Sequence, residues 1–92
     1  MKIDDIQEWL LHLMKGLVSF PDAVEISKIS DEMGVLFIVK VDKTDQGKVI
    51  GREGSIAGAT RVVLRSVGRL NDLRVSLKID VGTNYEPRKE LR

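Results

Sequence analysis

The chain has 92 residues, no cysteine, one histidine and only four aromatic side chains, two Phe, one Trp and one Tyr. That is one domain with a modest core, burying about 60–65% of its unfolded surface, and it excludes disulfides, thiolate metal sites and His-rich metal clusters. The formal net charge of +1 averages two unlike halves: residues 1 to 42 hold four Lys against eight Asp and Glu, and residues 43 to 92 hold eleven Lys and Arg against six acids. A field this lopsided draws polyanions to the second half and repels them from the first.

Ile3, Ile6, Leu10, Leu13, Met14 and Leu17 recur at helical spacing, and Asp4 and Asp5 fall in the first turn, where they complement the helix dipole. The spacing predicts a helix that ends before Pro21, with Gly16 weakening but not breaking it; Trp9 and His12 on it are expected to pack or to meet a partner. The acidic N-terminus is unlike a secretory signal and no stretch approaches the ~18 apolar residues of a membrane span, so a cytoplasmic location is expected. Residues 23 to 29 read as a strand, residues 30 to 34 as a turn of hairpin length, and residues 35 to 41 as a second strand. The unbroken apolar run Leu36, Phe37, Ile38, Val39 predicts a central strand covered on both faces.

Thr44 is the expected N-cap of a short helical turn that carries Lys48 and Val49 into Ile50-Gly51-Arg52-Glu53-Gly54. Beyond Gly54, Ile56, Ala59, Val63 and Val67 share one side of a helix, and Arg61, Arg65 and Arg69 form a stripe on another. The stripe has two readings, a solvated face or a contact to a polyanion. Gly68, Asn71 and Asp72 are expected to end this helix, after which Leu73, Val75, Leu77, Ile79 and Val81 alternate with polar residues as a half-buried strand. Residues 82 to 92, charged and containing Pro87, are expected to be a flexible tail, which leaves residues 1 to 81 as a single domain. The order α-β-β-α-α-β then predicts an α+β two-layer sandwich with three helices on one face of a three-stranded sheet.

The two glycines carry the functional signal. Without Cβ atoms, Gly51 and Gly54 can take positive φ and admit a foreign chain close to the backbone, while the helix after them offers unpaired N–H groups and a positive dipole end. The competing reading is a plain helix C-cap and turn with no ligand. The segment is not a Walker motif, because no Lys-Ser or Lys-Thr pair follows its last glycine. With no cysteine, a lone histidine far along the chain and no partnered carboxylates, no enzymatic activity is expected. Asp42, Asp45 and Glu53 make a poor Mg²⁺ site among cations, so no metal or other cofactor is expected.

Val-Ile-Gly-Arg-Glu-Gly-Ser-Ile, with a helical pattern on each side, resembles the Val-Ile-Gly-x-x-Gly-x-x-Ile motif of KH domains. The element order is similar to the bacterial type II arrangement, and the closest likeness is to the small stand-alone KH-domain proteins of bacteria, the KhpA type. The resemblance implies a single-stranded RNA-binding protein of low sequence specificity, an RNA chaperone or adaptor, whose GxxG loop clamps about four nucleotides. It implies phosphate contacts at Gly51, Arg52, Glu53 and Gly54, a second cation at Lys48, donors from Ser55 onward, and an aliphatic base groove at Ile50, Ile56 and the strand around Ile38; Arg61, the first of the arginine stripe, is a further candidate contact. Glu53 departs from the family pattern by placing a carboxylate near a phosphate, which is unfavourable even when screened. The resemblance also implies a homodimer, or a heterodimer with a larger KH-type RNA-binding protein. The alternative is a protein-interaction module in which RNA is secondary.

Overall fold

A computed structural model describes residues 1 to 80; the expected strand end at Val81 and the expected tail lie outside the described residues. Helix α1 (Ile3–Leu17) forms where the apolar spacing places it and fully buries Ile6, Leu10 and Met14. Asp5 in its first turn accepts a hydrogen bond from the Lys2 N–H at 3.1 Å, which satisfies a donor the helix leaves open. Trp9 is partly buried against the core and His12 is exposed. Pro21 opens a single 3-10 turn over Pro21–Ala23, so β1 starts later than expected and covers Glu25–Asp31.

Strand β1 pairs antiparallel with β2 (Gly34–Lys40), with Ile26 opposite Val39 and Lys28 opposite Phe37. The connecting turn shortens to Glu32 and Met33, and the Met33 N–H bonds the Asp31 carboxylate at 2.7 Å. β2 in turn pairs parallel with β3 (Val75–Asp80), with Phe37 opposite Leu77, which makes β2 the central strand as expected. Gly34 sits at φ +135°, where a Cβ would stand 2.3 Å from the Arg74 carbonyl oxygen that accepts the Val35 N–H at 2.8 Å. The close approach of β2 to the start of β3 therefore needs glycine there.

The sheet corrects one expectation. Val35, Phe37 and Val39 are buried, but Leu36 and Ile38, between them, are only half-buried. The helices cover one face, and the other presents Leu36 and Ile38 beside Ser27, Ile29, Ser76 and Lys78. An unbroken apolar run does not by itself distinguish one covered face from two.

A parallel β2–β3 pair requires a crossover, supplied by α2 (Gln46–Ile50) and α3 (Ser55–Leu70). Asp42, not Thr44, caps the 3-10 turn at Lys43–Asp45: its carboxylate accepts from the Thr44 N–H at 3.0 Å and from the Thr44 hydroxyl at 2.5 Å. Helix α3 runs through Gly68 to Leu70, so Gly68 does not end it. A Cβ on Gly68 would lie 2.6 Å from Val75 Cγ2 and 2.8 Å from the Leu73 carbonyl oxygen. The missing side chain lets the helix settle on the start of β3, and Asp72 at φ 60° turns the chain away. Phe37, Ile6, Leu10, Met14, Leu64, Val39 and Val49 fill the layer between helices and sheet.

Two glycines separate packing from helix propensity. Gly68→Ala is expected to overpack the α3–β3 contact and lower the unfolding free energy by about 1–3 kcal/mol. Gly16→Ala, in an α1 turn with nothing within 4 Å, should raise it by about 0.5–1 kcal/mol. Urea denaturation of both variants measures the difference.

Candidate nucleic-acid interface

Asp45, fully buried, fixes α2 against the end of α1. One carboxylate oxygen accepts the Ser19 N–H and the other the Phe20 N–H, each at 3.0 Å. The Lys48 ammonium stands 3.4 Å from the same carboxylate and donates to the Ser19 hydroxyl. Burial by itself would raise the Asp45 carboxyl, but the two N–H groups and Lys48 together hold it below the ordinary aspartate value. Lys48, expected as a phosphate ligand, is thus shared with Asp45 and Ser19, and only part of its charge faces outward.

The loop follows directly. α2 stops at Ile50, and the Gly51 N–H closes onto the Gly47 carbonyl at 2.8 Å. Gly51 takes φ 80° and ψ 172°, and a Cβ there would stand 2.7 Å from both the Ile56 N and its Cγ1. Arg52–Gly54 forms one 3-10 turn, with Glu53 in the left-handed region at φ 54° and Gly54 at φ 78°. The two glycines do different work. Packing excludes any side chain at Gly51, whereas nothing lies within 4 Å of a Cβ built on Gly54. Gly54 leaves an open approach to the backbone where α3 begins.

Arg52, Glu53 and Ser55 are exposed around that approach. Gly54 is the N-cap of α3 and supplies no side-chain bond; the Ser55 N–H goes to the Arg52 carbonyl, and no side chain caps the rest of the first turn. Ile50 and Ile56 are half-buried next to the loop, Ile50 packed on the core and Ile56 against Gly51. Ile38 does not join them, because it lies on the sheet face turned away from the helices. Arg61, one flank further along α3, donates from Nε to the Leu77 carbonyl of edge strand β3 at 3.2 Å. Arg52 and Arg61 thus place exposed cations at the loop and on the flank of α3 beside the β3 edge. The Asp45 anchor, which couples residues 26 apart in sequence, had no local signal.

Among the described residues, no helix is long and apolar enough to cross a membrane, and no group of His, Cys, Asp and Glu could hold a metal ion.

Three helices on a three-stranded sheet in the order α-β-β-α-α-β, with the glycine loop between the last two helices, define a KH domain of the type II arrangement. The family model for the KhpA/KhpB KH domain matches residues 7–79, and the chain belongs to that family. It is 38% identical to the RNA-binding protein KhpA of Chlamydia pneumoniae over 74 residues, 80% of this chain and 95% of that protein. It is 35% identical to the proteins of the same name from Clostridium acetobutylicum and Listeria monocytogenes, again over 80% of this chain and covering 99% and 97% of theirs. No solved structure gives a significant match.

The Asp45 anchor gives a pH test. A carboxyl held low in the folded state stabilises the fold above its unfolded pKa, and that contribution is lost as pH falls through the folded value. Asp45→Asn should lower the melting temperature at pH 7 and flatten the fall of stability below about pH 4, where free aspartate takes up its proton. Thermal melts followed by circular dichroism from pH 7 to pH 2 check this.

Proposed function

We propose that this chain binds single-stranded RNA by its phosphate backbone, with low sequence selectivity, and serves as a cytoplasmic RNA chaperone or adaptor. The observation that carries this reading is the open side of Gly54 at the uncapped start of α3, with the exposed Arg52 beside it. A phosphate there meets first-turn N–H groups, the positive end of the helix and a guanidinium. Arg61 supports the strand further along, and the half-buried Ile50 and Ile56 offer bases an aliphatic floor. Phe37 is buried and Trp9 is partly buried on α1, so neither provides a ring platform at the loop. Contacts made to phosphates carry no base information, which is the reason for low selectivity. The relatives named RNA-binding proteins support RNA binding itself.

Gly54→Asp tests the clamp with little risk to the fold, since aspartate tolerates the left-handed region and the space is open. In fluorescence anisotropy with random and homopolymeric RNA of about eight nucleotides, twice the clamp length, the variant should bind at least about tenfold more weakly, and affinity should fall steeply with salt. Glu53→Lys should bind more tightly. Absence of binding by the native chain at low salt, or full binding by Gly54→Asp, would end the proposal.

A second reading concerns self-association or pairing with a larger KH-type RNA-binding protein. Val62, Val63 and Leu70 are 57%, 47% and 84% exposed along the outer crest of α3, with Ser66 between them and Ala59 one turn before. This apolar stripe supports an interface between chains. Val62→Glu with Leu70→Glu should shift sedimentation toward the monomer while RNA binding persists. A native chain that stays monomeric at high concentration would refute the homodimer.

A further inference from the structure

We infer that the RNA path does not end at the four-nucleotide clamp but continues down the α3–β3 flank to a second phosphate site at the opposite end of α3. This extension rests on the RNA-binding reading of the glycine loop. Its basis is a cleft of about 670 Å³ lined by Arg65, Arg69, Asp72, Leu73, Arg74 and Val75. Two of its arginines come from successive turns of α3 and the third from the start of β3, so two elements converge on one opening.

Arg65, Arg69 and Arg74 are exposed, and among the described residues none of their guanidiniums makes a hydrogen bond or ion pair. Arg61, one turn before Arg65, differs in spending its Nε–H on the Leu77 carbonyl. Three unpaired guanidiniums around one opening repel one another, an arrangement relieved by a polyanion, and each can grip a phosphate with two parallel N–H bonds. Asp72, the carboxylate in the same cleft, stands at φ 60° and opposes that attraction. The cleft places the cluster on the β3 side of α3, where Arg69, two turns from Val62, adjoins the edge of the apolar crest.

The distance sets the ligand length. Ser55 and Arg69 are separated by about 21 Å of helix at ~1.5 Å per residue. A base-stacked strand covers that span in about six nucleotides at ~3.4 Å each, fewer when extended. A bound strand reaching from Gly54 to the cleft is therefore about seven nucleotides long, and about eight to ten with the remaining nucleotides of the four-nucleotide clamp included. Arg61 lies between the two sites and keeps the intervening surface cationic.

The test compares RNA of five and twelve nucleotides on the full chain, with Arg65→Gln/Arg69→Gln/Arg74→Gln and with Gly54→Asp. The triple variant should hold the five-nucleotide RNA as the native chain does. It should bind the twelve-nucleotide RNA about ten- to a hundredfold more weakly at 0.1 M salt, with the slope of log K against log salt smaller by about 2, the change expected for three lost phosphate contacts on a single strand. Asp72→Asn should strengthen only the longer RNA. Equal affinity and slope for the twelve-nucleotide RNA in native and triple-variant chains overturns the extension while leaving the clamp intact. Equal loss for both lengths in the triple variant also overturns it, because the arginines then act as a general field rather than a distal site. Failure of the clamp itself is a separate result, seen as retention of the five-nucleotide RNA by Gly54→Asp.

Discussion

The domain turns on the reversal at Gly51, where backbone of one helix comes so close to the next that no side chain fits between them. A Cβ at that position would stand 2.7 Å from the Ile56 N. This exclusion brings the end of α2 against the start of α3, and residues 52 to 54 join them in one tight turn with Glu53 and Gly54 in the left-handed region. Glu53 occupies a conformation that costs a side-chain-bearing residue about 1–2 kcal/mol, so the surrounding structure must hold it there. Strain of that kind persists where the loop is fixed at both ends. Here one end is fixed by the Gly51 packing and the other by a sixteen-residue helix lying on β3.

The second support is electrostatic and lies behind the loop. α2 is only five residues long, too short to be stable by itself. Asp45 compensates by tying its start to the backbone at Ser19 and Phe20, and it draws Lys48 inward at the same time. One buried carboxylate therefore positions the loop and also removes part of the cationic charge that a count of residues assigns to it. The cationic surface shifts accordingly toward Arg52, Arg61 and the far arginines, away from the acid-rich half, where Asp4 pairs with Lys28 at 2.5 Å.

Much of this was legible in the sequence because it is local. Apolar spacing marked α1, strict alternation marked β3, and two glycines between helical patterns marked the loop. Most of the differences share a cause: they depend on what lies opposite in space. Gly68 read as a helix end because its role is to admit Val75 and Leu73, which local pattern does not reveal. Ile38 read as part of the base groove, yet alternation with Phe37 and Val39 sends it to the other face of the sheet. Lys48 read as a second cation beside the loop, and its sharing with Asp45 had no local signal because Asp45 is held by residues 25 and 26 positions away. Asp42 displaced Thr44 as a cap through a contact two residues long, a choice between neighbours that composition leaves open.

The most direct measurement is a titration of isotopically labelled chain with a short single-stranded RNA, followed through backbone amide resonances. The account predicts shifts concentrated at Gly51, Arg52, Gly54, Ser55 and Ile56 and continuing along the Arg61 side of α3, with α1 unaffected. Shifts centred on α1 or on the Ile38 face of the sheet, with the glycine loop silent, would contradict it.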